Sequence, residues 1–275
     1  MMLNDHIRKT IQQRNSMLCV GLDTDPGKIP PQFLKKDDPV YQFNRAIIDS
    51  THDLVAAYKP NLAFYEALGL EGWAVLKRTL DYIPDGILKI GDAKRGDIGS
   101  TAIKYAEALF DLGFDVVTVN PYLGWDSIGP FIHNEEKGVF VLCLTSNPSA
   151  QDFQYRMVEG KPFFQRVAEK VLEWNSNENC GLVVGATHPE ELLKIREIAQ
   201  SLPFLIPGIG AQGGDLESTI LGGTDGQGEM AIVNSSRGII YASSGEDFAD
   251  AARNEALKLR DAMNHLRLKK KEESE

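Results

Sequence analysis

Cysteine is scarce in this chain, with three among 275 residues. Cys19, Cys143 and Cys180 each lie in or beside an apolar run, and none belongs to a Cys-x-x-Cys pair. This usage argues against a small secreted scaffold that is held together by disulfides. We interpret the three cysteines as buried small residues of a protein in a reducing compartment.

Long hydrophobic runs are also missing. No segment approaches the roughly 20 consecutive apolar residues that a membrane-spanning helix needs. The first residues, MMLNDHIRKTIQQRN, mix both charge signs and have no apolar centre, so they do not resemble a signal peptide. The sequence therefore predicts a cytoplasmic protein without a membrane partner.

A surplus of positive charge is absent as well. The chain has 29 Lys and Arg against 39 Asp and Glu, for a formal net charge of −10. An acidic chain without a basic stripe argues against nucleic acid as a partner. A local basic pocket for one phosphate stays compatible with this charge.

Motifs for metals and common cofactors are not found. The five histidines lie far apart, and neither HxH nor HExxH occurs. No GxGxxG follows the first predicted strand, and no GxSxG indicates a serine nucleophile. We predict neither a metal ion nor a cofactor. Asp23 and Asp25 leave a Mg²⁺ site open as an alternative, although a hydroxyl partner such as a ribose suits Asp23 better.

Eight short, nearly continuous apolar runs alternate with longer amphipathic segments. Such runs are typical of parallel strands that are covered by helices. Eight of them across about 250 residues favour an α/β fold of the (β/α)8 TIM-barrel type over an open doubly wound sheet. The predicted strands are 17–23, 54–60, 86–94, 115–121, 139–146, 180–186, 204–210 and 230–236.

Helical patterns fill the intervals, and no domain boundary is visible, so we expect a single domain over 1–275. A helix over 3–15 precedes the first strand, and the charged end, 267–275, is expected to fray. The remaining predicted helices are 39–53, 64–80, 99–112, 161–174, 188–200, 214–222 and 246–267, while 125–136 shows no clear pattern.

Opposed charges stand where two neighbouring strands end. Lys59 ends the second strand, and Asp92 and Lys94 end the third, followed by Asp97. Asp92 and Lys94 are two apart on an extended chain, so they should face the same side, with Arg95 pointing away into a structural ion pair. Charges at a barrel mouth are costly unless paired, which allows a purely structural network. Their position at the catalytic face of such barrels favours a function.

The last two strands end in a pattern that is suited to phosphate. PGIGAQGGD at 207–215 is rich in glycine and leads into a short helix, and NSSRG at 234–238 carries Arg237 beside a turn. Backbone N–H groups and one guanidinium bind a phosphate monoester well. Ordinary turns that need glycine would explain the same glycines.

These residues resemble a known family. DAKRGD at 92–97 fits the D-x-K-x-x-D signature of orotidine 5′-phosphate decarboxylases, and GDAKRGDIGST at 91–101 resembles their longer-chain subfamily. The similarity spans nearly the whole chain and includes GLDTDP, YKPNLAFYE, TVNPYLG, TSNPSA, PGIGAQGGD and NSSRGIIYA. The short signature alone is less specific, because related sugar-phosphate lyases share it.

The resemblance implies roles for individual residues. It implies a charged catalytic tetrad, formed by Lys59, Asp92, Lys94 and Asp97. It implies a homodimer in which three residues reach the partner's site, namely Asp97, Ile98 and Thr101. It implies that Asp23 contacts the ribose and Ser146 the pyrimidine ring of the substrate. It also implies that Gln212 and Arg237 bind the phosphate.

The implied reaction converts orotidine 5′-monophosphate, a small nucleotide, to uridine 5′-monophosphate and CO₂ in de novo pyrimidine biosynthesis. Lys94 would donate the proton to C6, Asp92 would disfavour the substrate carboxylate, and Lys59 and Asp97 would hold both in place. One alternative is a Mg²⁺-dependent sugar-phosphate decarboxylase or aldolase with the same signature. Another is a nucleotide-binding protein without turnover.

Overall fold

Eight parallel strands close into a barrel in the computed structural model, which describes residues 2–209 and 214–274. The described residues form ten strands: β1 Leu18–Leu22, β2 Ala57–Pro60, β3 Leu88–Arg95, β4 Val116–Val119, β5 Gly138–Leu144, β6 Met157–Val158, β7 Lys161–Pro162, β8 Cys180–Val184, β9 Phe204–Pro207 and β10 Ala231–Ser235. The barrel order is β1–β2–β3–β4–β5–β8–β9–β10, and β10 pairs with β1. All eight predicted strands and the (β/α)8 fold are confirmed.

Helices follow the strands along the chain. They are α1 Leu3–Arg14, α2 Pro39–Thr51, α3 Leu62–Glu66, α4 Gly69–Tyr82, α5 Gly99–Leu112, α6 Trp125–Ile132, α7 Phe163–Trp174, α8 Pro189–Ile198, α9 Leu216–Gly223, α10 Arg237–Ile240 and α11 Phe248–Ser274. Within the described part of the chain, no helix is both long enough and apolar enough to cross a membrane.

The barrel strands form because their residues are apolar on both faces. Every residue of β1, β2, β4, β8 and β10 is buried. One face fills the barrel interior and the other is covered by the surrounding helices, as in other all-parallel sheets. Because all eight strands run in the same direction, their carboxyl ends meet at one mouth.

The predicted helix over 64–80 is two helices in the structure. α3 ends at Glu66 and α4 begins at Gly69. Gly69 has a φ of +66°, a value that does not occur within a continuous α-helix. The apolar pattern runs through both helices, which explains why periodicity alone merged them. Glycine reaches this left-handed conformation without a steric penalty, so Gly69 supports the break.

The charged end of the chain also differs from its prediction. The sequence predicts fraying over 267–275, whereas α11 continues to Ser274. Lys270 donates to the carbonyl oxygens of Leu221 and Thr224 at 2.7 and 2.6 Å, and Lys269 pairs with Glu217 at 3.2 Å. These contacts attach the helix end to α9. They are made by lysine side chains, so the sequence shows no apolar pattern that would predict them.

Candidate active site

A cavity of about 690 Å³ opens at the carboxyl ends of the barrel strands. It brings together six of the ten side chains that the sequence singles out: Asp23, Lys59, Asp92, Lys94, Ser146 and Arg237. Gln212 lies outside the described residues. The other three, Asp97, Ile98 and Thr101, are not among the described residues that line this cavity.

Asp92 stands between two lysines. One carboxylate oxygen, Oδ2, accepts a hydrogen bond from Lys59 Nζ at 3.0 Å, and the other, Oδ1, accepts one from Lys94 Nζ at 2.5 Å. The side chains of Lys59 and Asp92 are 5% and 12% exposed, whereas that of Lys94 is 50% exposed. A molecule that enters the cavity can therefore reach the Lys94 ammonium more readily than that of Lys59, although both residues line the cavity.

The electrostatics of this group keep its buried members charged. Burial acts to lower the pKa of Lys59, but the carboxylates of Asp92 and Asp23 outweigh it, so the pKa of Lys59 is raised. Burial likewise acts to raise the pKa of Asp92, but Lys59 and Lys94 outweigh it and the pKa of Asp92 is lowered. Both residues are thus ionised near neutral pH, because each compensates the desolvation of the other.

The backbone brings Lys94 to Asp92 in an unexpected way. The sequence predicts that both face the same side because the strand is extended. In the structure Lys94 is in the left-handed region, with φ of +48°. The β3–β4 register shifts there, since Gly91 is opposite Val117 and Arg95 is opposite Val119. The two side chains meet as predicted, but through an irregular turn within the strand.

Arg95 takes the structural role that was expected of it. Its guanidinium forms an ion pair with Glu66 and lies 5.3 Å from the centre of the Tyr105 ring. Arg95 is not among the described residues that line the cavity, whereas Lys59 and Lys94 are.

The loop after β1 holds Asp23 at the cavity. The hydroxyl of Tyr241 accepts from the backbone N–H of Asp25 at 2.7 Å and donates to the carbonyl oxygen of Asp23 at 3.3 Å. Tyr65 donates to the carbonyl oxygen of Leu22 at 3.0 Å. The buried Oδ1 of Asp23 has no hydrogen-bond partner among the described residues. A buried acceptor in this state suits a donor on a bound molecule, such as a ribose hydroxyl.

Gln154 joins the cavity from the segment 148–164, and sequence reasoning missed it. The segment forms a 3₁₀ turn over Pro148–Asp152 and the hairpin of β6 and β7. The Gln154 amide bonds twice to Thr145, accepting from its backbone N–H and donating to its Oγ1, both at 2.8 Å. These bonds return the segment to the end of β5 beside Ser146. A single glutamine in an unpatterned loop offers no signal from which to predict this contact.

Arg237 and Ser236 line the cavity together with the end of β9. β10 passes so close to β1 that a Cβ on Gly21 would lie 1.8 Å from Ser236 Oγ. Glycine at position 21 therefore lets Ser236 face the cavity. Arg237 is exposed and forms no ion pair with a carboxylate in the described ranges 2–209 and 214–274. Its guanidinium is available to an anionic ligand.

Asp97, Ile98 and Thr101 lie around the start of α5, next to a second groove. Asp97 Oδ1 accepts from the backbone N–H of Ile98 at 2.8 Å, and this carboxylate forms no ion pair within the described residues. Ile98, Ile103 and Trp125 line the groove and are 54%, 47% and 49% exposed. One chain thus assembles three of the four predicted catalytic charges, and the fourth, Asp97, is not among the described residues that line the cavity.

Metal ligands are not gathered at either location. Among the residues that the structure describes, no group of three or more His, Cys, Asp or Glu side chains is arranged to hold a metal ion.

Comparison with known proteins gives a consistent result. Residues 16–252 match the model of the family described as "Orotidine 5'-phosphate decarboxylase / HUMPS family". The chain is 52% identical over 268 residues to an orotidine 5′-phosphate decarboxylase of Dehalococcoides mccartyi, covering 96% of this chain and 97% of that protein. It is 48% identical over 270 residues to the Herpetosiphon aurantiacus protein of the same name, covering 96% and 100%. The solved structure of Leishmania donovani OMP decarboxylase is similar with a TM-score of 0.86 and 37% identity, covering 98% of this chain and 99% of that one.

Proposed function

We propose, because the chain belongs to the orotidine 5′-phosphate decarboxylase / HUMPS family, that it converts orotidine 5′-monophosphate to uridine 5′-monophosphate and CO₂ in pyrimidine biosynthesis. The observation that carries this function is the Lys59–Asp92–Lys94 group at the mouth of the barrel. A cavity of about 690 Å³ is also within the size range of sites for small molecules.

Lys94 is the proposed proton donor. When the bond between C6 and the carboxylate breaks, CO₂ leaves and the electron pair stays on C6. The half-exposed Lys94 ammonium would stabilise this charge and then deliver its proton to C6. Asp92 would face the substrate carboxylate, and the repulsion between the two negative charges would destabilise the bound substrate before the reaction. Lys59, which is buried and paired with Asp92, would keep that carboxylate ionised and oriented.

The rest of the cavity suits the remainder of a nucleotide. We assign Asp23 to the ribose, because its buried Oδ1 has no partner within the described residues. Ser146, beside the Gln154–Thr145 contact, is assigned to the pyrimidine. Arg237 is assigned to the phosphate, together with Gln212 on the basis of the family resemblance.

A homodimer would complete the site. Asp97 lies outside the cavity of its own chain, and the neighbouring groove exposes Ile98, Ile103 and Trp125. Exposed apolar clusters of this kind are typical of interfaces. A second copy seated here would bury them and bring Asp97, Ile98 and Thr101 to the partner's cavity.

We also infer a single-domain protein that resides in the cytoplasm. The three cysteines are free and buried, as expected in a reducing compartment.

The test is an absorbance assay with orotidine 5′-monophosphate in metal-free buffer that contains EDTA. The proposal predicts full activity there, and a Lys94→Ala preparation made in parallel controls for contaminating enzyme. Activity that disappears in EDTA and returns with Mg²⁺ would instead favour a metal-dependent enzyme. Binding of uridine 5′-monophosphate without turnover of the substrate would favour a nucleotide-binding protein.

A further inference from the structure

Thr118 contacts both catalytic residues of β3 from the middle of β4. The residue is 1% exposed and lines the cavity. Its hydroxyl accepts hydrogen bonds from the backbone N–H groups of Ala93 at 3.0 Å and Lys94 at 2.9 Å. It also donates to Asp92 Oδ1 at 3.1 Å. One side chain thus bonds to the backbone that carries Lys94 and to the carboxylate that Lys94 contacts.

The three hydrogen bonds fix the direction of the hydroxyl. A threonine hydroxyl has two acceptor lone pairs and one proton. The two backbone N–H groups can only donate, so they occupy both lone pairs. The single proton is therefore directed to Asp92 Oδ1, the same oxygen that Lys94 Nζ contacts.

These contacts lie where β3 departs from regular strand geometry. Pairing between β3 and β4 is irregular between Gly91 and Arg95, and the N–H groups of Ala93 and Lys94 fall in this interval. Lys94 has a φ of +48°, which a residue with a side chain seldom adopts unless its surroundings hold it there. The Thr118 hydroxyl accepts from the two consecutive N–H groups that lead into the left-handed residue and so stabilises this conformation.

We propose that Thr118 is a positioning residue that sets the place of the Lys94 ammonium relative to Asp92 and the substrate. The role rests on the proposed decarboxylation, but it goes beyond it because the hydroxyl acts through Lys94 and not on the substrate. Loss of the hydroxyl should impair the chemical step more than substrate binding, since its hydrogen bonds go to Asp92 and to the backbone of Ala93 and Lys94.

The experiment compares Thr118→Val, which has nearly the same shape but no hydroxyl, with Thr118→Ser, which keeps it. Because misplacing a catalytic group by about 1 Å can cost about 10²-fold, we expect kcat of Thr118→Val to fall by about that factor with KM changed less than about threefold. Thr118→Ser, which keeps the hydroxyl, should retain most of the wild-type kcat. Thr224→Val, which removes an equally buried hydroxyl that donates to the Ile220 carbonyl oxygen, should retain wild-type kcat.

A crystal structure of Thr118→Val adds a measurement that does not depend on turnover. We expect Lys94 to leave the left-handed region or its Nζ to move away from Asp92. Wild-type kcat in a folded Thr118→Val protein, or a structure in which neither the 93–95 backbone nor Lys94 Nζ has moved, would overturn the positioning role. Absence of turnover in the wild type would refute the proposed function instead, and the structure would still decide on Thr118.

Discussion

The two lysines of the cavity differ in what they can reach. Both contact Asp92, but the side chain of Lys59 is 5% exposed and that of Lys94 is 50% exposed. A proton donor must lie within hydrogen-bonding reach of the substrate atom that it protonates. The exposed Lys94 meets this condition for a molecule in the cavity better than the buried Lys59, for which we propose an action through Asp92. Equal charge at the two positions therefore does not mean equal function.

Replacing Lys94 by Ala should nearly abolish turnover. The change removes both the proton donor and the cation next to the developing charge, so we expect kcat to fall by about 10⁴-fold or more. Binding of uridine 5′-monophosphate, measured by calorimetry, should stay detectable. Lys77→Ala on α4, an exposed lysine paired with Asp81, is the matched control and should keep wild-type kcat. A Lys94→Ala enzyme with near-normal kcat would contradict the proposed mechanism.

Replacing Arg237 by Ala should act on phosphate binding. A charge-assisted bond to phosphate is lost, so kcat/KM for orotidine 5′-monophosphate should fall by about 10²-fold. Orotidine, which lacks the phosphate, is the control substrate, and its kcat/KM should differ little between the two enzymes. An equal loss with both substrates would show that Arg237 does not act on the phosphate.

At the scale of secondary structure elements, α11 is attached to the rest of the barrel by ion pairs as well as by apolar contacts. Arg253 donates to both carboxylate oxygens of Asp53, at 2.7 and 2.8 Å, and to the carbonyl oxygen of Ser50 at 2.8 Å. Ala252, Ala256 and Met263 are buried on the same helix. The apolar residues supply the buried face, and Arg253 fixes the helix against the end of α2.

Asp53→Asn should reveal the strength of this link and its pH dependence. Hydrogen bonds from Arg253 lower the pKa of Asp53 to about 2. The carboxylate therefore stabilises the fold above its ordinary pKa, and this contribution is lost as the pH falls towards 2. Because the pair is partly exposed, we expect the free energy of unfolding to fall by less than about 1 kcal/mol at pH 7.

Urea unfolding of wild type and Asp53→Asn measures this difference, which should shrink by about half at pH 3. Glu255→Gln, on the same helix with a partner 4.0 Å away, is the control and should show little change at either pH. A difference between wild type and Asp53→Asn that stays constant between pH 7 and pH 3 would exclude the ion pair as its cause.

The accuracy of sequence-based prediction differed between kinds of element. The eight strands were predictable because an all-parallel sheet needs apolar residues on both faces, and such runs stand out. The break at Gly69 was not, since α3 and α4 share one apolar pattern. The left-handed Lys94 was not predictable either, because spacing arguments assume a regular strand. Thr118 lies inside the apolar run of β4, where its hydroxyl gives no sign of a contact with β3.

At the scale of the whole molecule, the stretch from the end of β3 to the start of α5 contributes to two surfaces. Asp92 and Lys94 face the cavity of their own chain, whereas Asp97 lies by the groove that exposes Ile98 and Trp125. In the proposed homodimer each cavity would take Asp92 and Lys94 from one chain and Asp97 from its partner. The two kinds of mutation should then complement each other within one dimer.

Co-expressing Lys94→Ala and Asp97→Ala chains with different affinity tags tests this arrangement. Each homodimer should be nearly inactive, but the mixed dimer has one cavity with both residues intact. Random pairing makes half of the dimers mixed, so the mixture should recover about a quarter of the wild-type activity. Lys94→Ala mixed with Asp92→Ala is the matched control. These two residues belong to the same chain's cavity, so every site stays defective and no activity should return. Recovery in both mixtures, in neither, or full activity of a monomeric Asp97→Ala enzyme would each refute the shared site.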